Sequence, residues 1–319
     1  MKYFIKYCFY CLIIPIIITA INFIIDYRGF VNPDSLFIEK LVNDLEQNNL
    51  VYHINVPERR IVKKRIEKTI NGLNNICIGS STSLLIGKES GFNYINLAVS
   101  GCVTEDMSYL YELIKQNDVK IDTLIIGLNP WALNKHHPDS RYRQFEDEIS
   151  RNDIRQIFSI RYLYDNVKIN KYKIWNGDTT EYIKFSDGSI KYNFDLRNKR
   201  WKEKDFILDY IKGEIYHLNN FIDIDPNYLM YFEKIVNQFK KISNHTILFL
   251  SPYHVLIFDE LITKAPIIKS VENEIYKIFK DKEDITIIGS FNPNLYGLEY
   301  SDFYDGMHLS ESGIKKIFN

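Results

Sequence analysis

The chain has 319 residues, with 40 Lys and Arg against 41 Asp and Glu, a formal net charge of -1, and 45% hydrophobic residues. That length allows one large core or two modest ones, and the charge balance excludes a general basic field for nucleic acid. Aromatics reach 14%, with 23 Tyr and 20 Phe, which suits packing first and flat or sugar-like ligands only weakly.

Lys2 and Lys6 precede an uncharged apolar run from Tyr7 to Ile25, close to the ~20 residues a membrane-spanning helix needs. Pro15 and Asn22 interrupt it without excluding it. A cleaved signal has a shorter apolar core and a small-x-small site; Ile18-Thr19-Ala20 matches poorly, and apolar residues continue beyond it. Residues 1–26 therefore read as an uncleaved single-pass anchor, the alternatives being a cleaved signal or a buried core helix. Lysines before the run place the N-terminus in the cytoplasm and residues 27 onward outside. Cys8 and Cys11 lie inside the run. Cys77 and Cys102 lie beyond it, where they could form a disulfide or serve as buried strand-end residues. No paired CxxC elements suggest zinc.

Residues 27–74 form a lead-in. "NPDSLFIEKLVNDLEQN" predicts a short helix capped at Asp34 or Ser35, and the basic "PERRIVKKRIEKTI" predicts a helix with a solvated face. An alternating pattern follows. A strand, Ile76–Gly79, ends in Ser80-Ser81; a second, Tyr94–Ala98, ends in Ser100-Gly101. Thr104 caps a helix with Met107, Leu110, Tyr111 and Ile114 at helical spacing. A third strand, Thr123–Leu128, ends at Asn129; "HTILFLSPYH" is a fourth and "DITIIG" a fifth, with helices "YLMYFEKIVNQFKKIS" and "APIIKSVENEIYKIFK" between and "SESGIKKIFN" closing the chain. Apolar runs without alternation are strands buried on both faces. The pattern predicts an α/β fold, a three-layer α/β/α sandwich around a five-stranded parallel sheet. Residues 132–226 exceed one crossover; they carry a helical run, "DIRQIFSIRYLYDNVKIN", and a hairpin around Asp187-Gly188. They read as an insertion covering the sheet's active edge, not a separate domain.

Ligands in such sheets bind at the carboxyl ends of the strands. There the sequence puts Ser80 and Ser81, Gly101, Asn129, Tyr253 and His254, and the late "DFYDGMHLS" with Asp305 and His308. A serine, a histidine and an aspartate are the parts of a nucleophilic triad, because the hydroxyl needs a base and the imidazole a carboxylate to fix its tautomer. A glycine N–H and an asparagine amide suit oxyanion donation. Asp302 is an alternative carboxylate. Tyr253 and His254 could position substrate or simply pack a turn. Trp131 and Trp175 could stack on a sugar ring or fill the core. His136-His137 suits a surface loop better than a metal site, and no phosphate-binding glycine loop is present.

The order Gly79-Ser80-Ser81, Gly101, Asn129 and Asp305-x-x-His308 resembles the SGNH or GDSL hydrolases, over residues 75–319 minus the insertion. The resemblance implies Ser81 as nucleophile, His308 as base, Asp305 as its orienter, and Ser81 N–H, Gly101 N–H and the Asn129 amide as the oxyanion hole, with no cofactor and no metal. It is similar to the membrane-anchored branch that O-acetylates or de-acetylates surface polysaccharides. That branch implies a bacterial cytoplasmic-membrane protein with its catalytic domain on the extracytoplasmic side, a polysaccharide acceptor or substrate, and a membrane acyl-donor partner. An O-acetyltransferase is expected slightly ahead of an esterase; a non-catalytic polysaccharide-assembly protein and a teichoic-acid D-alanylation role are the other readings.

Overall fold

The structure, a computed structural model, describes residues 2–26, 29, 31–32, 35–47, 51–52, 57–68, 74–136, 145, 151–171, 182–192 and 220–318. In chain order the elements are α1 (Lys2–Ile25), α2 (Leu36–Glu46), β1 (Val51–Tyr52), α3 (Glu58–Lys68), β2 (Asn75–Ile78), β3 (Ile95–Asn96), α4 (Thr104–Gln116) and β4 (Ile121–Leu128). They continue with α5 (Arg151–Ile157), α6 (Ile160–Lys171), β5 (Tyr182–Lys184), β6 (Ile190–Tyr192), α7 (Pro226–Phe239), β7 (Ser243–Leu250), α8 (Phe258–Lys264), α9 (Ile267–Phe279), β8 (Ile285–Gly289) and α10 (Glu311–Phe318).

The fold is α/β, with a five-stranded sheet in the order β3-β2-β4-β7-β8 and every pairing parallel. Successive strand side chains point to opposite faces, and the core divides accordingly. Ile76, Ile78, Leu124, Ile126, Leu128, Leu248 and Leu250 join one cluster with α4, α7 and α9. Cys77, Ile125, Ile247 and Phe249 join another with α10, the segment after β2 and the β6 strand. Both faces being dry is why these strands are unbroken apolar runs. Chain order reverses at β2, which has β3 on one side and β4 on the other. Such a switch point opens a crevice at the carboxyl ends of the strands.

Several expectations change. The basic lead-in helix is not a solvated face: Arg59, Arg60 and Arg65 on α3 are buried, and Arg59 forms an ion pair with the buried Asp106 of α4. α2 is capped by Ser35, whose Oγ accepts the Ile38 N–H. α4 is capped not by Thr104 but by Asp106, whose carboxylate accepts the Val103 N–H. The helical run of the insertion is two helices, because the Ser159 hydroxyl restarts the chain by accepting the Tyr162 N–H. The hairpin forms as β5–β6, and β1 of the lead-in pairs with β5 to make a second, antiparallel sheet. Cys77 and Cys102 are free and buried, each in contact with a backbone carbonyl (Ser83 and Val103) rather than with the other.

The N-terminal apolar run does form α1, but among the described residues no helix is long and apolar enough to cross a membrane. The expected single span therefore has no support from the fold. Its carboxyl end is tied into the protein. Buried Asn22 donates to the carbonyls of Ile157 and Ser159, and the Tyr162 hydroxyl donates to buried Asp26. Those bonds hold the α5–α6 pair of the insertion against α1.

Candidate active site

The turn that carries the candidate nucleophile follows β2 directly. Gly79 sits at φ +145, and a Cβ there would lie 2.5 Å from Ser83 Oγ and 2.9 Å from the Gly127 carbonyl. Gly127 on β4 is equally constrained, its Cβ position being 1.8 Å from Ser83 Oγ. Only two glycines facing each other let the chain turn this tightly across the switch point. The turn places Ser81 at the start of a short 3-10 turn, with its side chain at the edge of the buried interior, 9% exposed.

The last loop brings the other two groups. His308 Nε2 lies 2.9 Å from Ser81 Oγ, and His308 Nδ1 lies 2.7 and 2.9 Å from the two oxygens of Asp305. An ionised carboxylate only accepts, so Nδ1 carries the proton and Nε2 is left as acceptor for the serine hydroxyl. Asp305 Oδ1 also accepts the backbone N–H groups of Met307 and His308, which fixes the carboxylate and the loop together. Asp302, the alternative carboxylate, is committed elsewhere. It accepts Lys316 Nζ at 2.7 Å, the Glu299 N–H at 2.8 Å and the Ser312 hydroxyl at 2.9 Å. Burial would raise its pKa, but those bonds outweigh burial and hold it below the usual carboxylate value.

The oxyanion candidates occupy adjacent strand ends. The Val99 N–H donates to the Gly79 carbonyl at 3.0 Å, so the Ser100-Gly101 turn runs beside the nucleophile turn. Gly101 is left-handed, at φ +62, inside a turn closed by Cys102 N–H to Val99 O. Asn129 follows β4, and its Oδ1 accepts from the Thr82 hydroxyl at 3.0 Å and from the Ser80 hydroxyl. Two hydroxyl donors on that oxygen define the amide orientation and turn Nδ2 away from them. Among the described residues Nδ2 donates to none, and it stays available.

Of the two other candidate residues, His254 lies against the Asp305–His308 loop and Tyr253 against Phe291. The His254 backbone N–H donates to the Gly306 carbonyl, and its Nδ1 accepts the Leu256 N–H at 3.0 Å. Its ring packs edge-on to Tyr300 and against Phe303. Tyr253 is buried beside Phe291, its N–H bound to the Phe291 carbonyl. Trp131 is 1% exposed within the core cluster, so its ring is walled in by side chains. His136 is exposed, and His137 and Trp175 lie outside the described residues. Among the described residues no group of three or more His, Cys, Asp and Glu could hold a metal ion.

Burial lowers the His254 pKa to about 4, against a small opposing pull from Asp305. The unfolded histidine titrates near 6.5, so the unfolded state binds the proton first as pH falls. Stability is then complete above about pH 6.5 and declines toward pH 4, by on the order of 3 kcal/mol from this group. Urea unfolding at pH 7 and pH 4.5 is expected to show a smaller acid loss in His254→Gln than in the unsubstituted chain. Equal losses would exclude His254 as the source.

The structure adds residues that sequence patterning missed. Tyr192 on β6 meets the His308 ring edge-to-face at 5.9 Å, bringing the insertion's hairpin to the candidate base. Thr82 orients Asn129. Glu58 of α3 accepts the Ser100 N–H at 2.6 Å. Of these only Thr82 carried a local signal, as a further hydroxyl in the nucleophile turn; the others depend on long-range packing. No protein-family model matches the chain, and no curated protein matches it in sequence.

Proposed function

We propose that this chain is a serine-dependent acyl-transfer enzyme in which Ser81 carries the acyl group. The observation that supports the reading most directly is the unbroken relay from Asp305 through His308 to Ser81, at 2.7 and 2.9 Å. Nucleophile, base and orienter are all within hydrogen-bond reach. His308 Nε2 takes the Ser81 proton as Oγ bonds to the ester carbonyl carbon. The oxyanion accepts hydrogen bonds from the Ser81 and Gly101 N–H groups and Asn129 Nδ2. Protonated His308 then gives its proton to the leaving alkoxide, and the C–O bond breaks to leave acyl-Ser81. His308 next takes the acceptor's proton as its oxygen attacks the acyl carbon, then gives that proton to Ser81 Oγ as the acyl C–Oγ bond breaks.

A sugar hydroxyl as acceptor makes the enzyme an O-acetyltransferase of a polysaccharide; water makes it an esterase. The resemblance to SGNH enzymes of the cell envelope supports the polysaccharide, an acyl-donor partner in the membrane and an extracytoplasmic catalytic unit. Membrane association through α1 is part of the proposal. Its exposed Tyr10, Leu12, Ile14, Ile16, Ile17, Phe23 and Ile24 face several directions around an axis of 3.6 residues per turn, a pattern suited to apolar surroundings.

The test uses the full chain, because α1 is bonded to α5 and α6. Incubation with p-nitrophenyl acetate is expected to release nitrophenol and to give an acetyl adduct by intact mass. An added oligosaccharide that becomes acetylated identifies a transferase; acetate release alone identifies an esterase. Absence of both Ser81-dependent nitrophenol release and a Ser81-dependent adduct would overturn the reading in favour of a non-catalytic assembly protein. Asn129→Ala is expected to lower kcat by on the order of 10²–10³ with little change in KM, the usual cost of one oxyanion donor. Steady-state kinetics check it, and an unchanged kcat would remove Asn129 from the oxyanion hole.

A further inference from the structure

The lead-in helix α3 lies outside the blocks that carry the resemblance, yet its first turn holds the peptide on which the oxyanion hole depends. Glu58 accepts the Ser100 N–H at 2.6 Å and the Ser100 hydroxyl at 3.1 Å. Arg59 donates from Nη1 and Nη2 to the Ser100 carbonyl at 3.3 and 3.2 Å. Its Nε and Nη2 bind the two oxygens of Asp106 at 2.9 Å each. The Ser100 carbonyl and the Gly101 N–H belong to one peptide unit. That unit is planar and trans, so its C=O and N–H point in opposite directions.

We infer that Glu58 and Arg59 are positioning residues that aim the Gly101 N–H at the reacting carbonyl by gripping Ser100 from behind. A guanidinium on the carbonyl oxygen also polarises the peptide and strengthens its N–H as a donor. The rigid fork suits the task, since one guanidinium spans the carbonyl and the Asp106 carboxylate together. Asp106 is 0% exposed and Arg59 3%, so the ion pair that anchors the guanidinium is dry and little screened. The lead-in is on this view part of the catalytic unit. The inference rests on the acyl-transfer reading.

Its test pairs two variants. Arg59→Met with Asp106→Leu removes both buried charges and so avoids a stranded ion; Arg59→Lys keeps the charge without the fork. With p-nitrophenyl acetate the double variant is expected to lose roughly tenfold to a hundredfold in kcat. Its KM is expected within about twofold and its pH profile unchanged, because His308 is untouched. Arg59→Lys is expected to fall between. Amide exchange gives the second readout: protection is lost at residues 99–102 but kept at 75–83 and 304–309, Val103 being left out because Asp106 itself accepts its N–H. A folded double variant with unchanged kcat, or unchanged exchange at Gly101, overturns the inference while the acyl-transfer reading stands. An unsubstituted chain with no Ser81-dependent turnover overturns both. Glu58→Ala, with Glu58→Gln restoring most of the rate, is the independent check if the double variant does not fold.

Discussion

Ser81→Ala is expected to abolish acyl-adduct formation and to lower kcat by on the order of 10⁶, the cost of removing the serine from a triad that works as a unit. The residual rate belongs to the oxyanion donors and substrate binding, on the order of 10³–10⁴ over water. Stability is expected to change little, because the hydroxyl's one hydrogen-bond partner among the described residues is His308 Nε2 and the side chain sits at the edge of the crevice. Thermal unfolding alongside kinetics therefore separates lost chemistry from lost fold. His308→Ala is expected to cost about as much, and the double variant no more than either alone, since neither group works without the other. Asp305→Asn is expected to cost about 10⁴ by presenting the wrong tautomer of the imidazole. Ester turnover in Ser81→Ala close to the unsubstituted rate would place the nucleophile elsewhere.

The parts of this site that could be read in the sequence are those set by local backbone. A glycine and two serines after an apolar run, a glycine after the next and an asparagine after the third each follow a strand, and the Asp-x-x-His sits in the loop before the last helix. Strand termini are visible because the strands are buried on both faces. The glycine pair at Gly79 and Gly127 is less visible, because the reason for each is the other across the sheet.

What stayed hidden depends on partners far along the chain. The charge run of α3 looks solvated when read alone, and its meaning comes from Asp106 and Ser100, which the sequence separates from it by two strands. β1, Val51–Tyr52, is too short to show a period, and it exists because β5 of the insertion offers it an edge. Tyr192 reaches His308 only because the hairpin is pinned to the nucleophile segment, with the Ile190 N–H on the Leu84 carbonyl and Asp187 accepting the Lys88 N–H. Trp131 shows the opposite error: an aromatic next to a strand-end asparagine suggests a sugar platform, and packing has taken it into the core.

Asp106→Ala is expected to be the most damaging single substitution for stability outside the hydrophobic core. The Asp106 carboxylate accepts Arg59 Nε and Nη2 and the Val103 N–H, and both charged side chains are buried. Burial disfavours the charge on Arg59, but the hydrogen bonds and charge of Asp106 outweigh it and hold the guanidinium pKa above its ordinary value. Arg59 cannot shed its proton at accessible pH, so removing the carboxylate strands a cation, at a cost of about 3–5 kcal/mol. The lost α4 cap adds about 1 kcal/mol. The pair itself is a different matter, since well-packed apolar replacements of buried ion pairs are often neutral or stabilising. Urea unfolding of Asp106→Ala, Arg59→Met and Arg59→Met/Asp106→Leu is therefore expected to give two unstable single variants and a double variant recovering most of the loss. If Asp106→Ala costs under about 1 kcal/mol, the pair is solvated in solution, and the buried anchor of α3's grip on the Ser100 peptide goes with it.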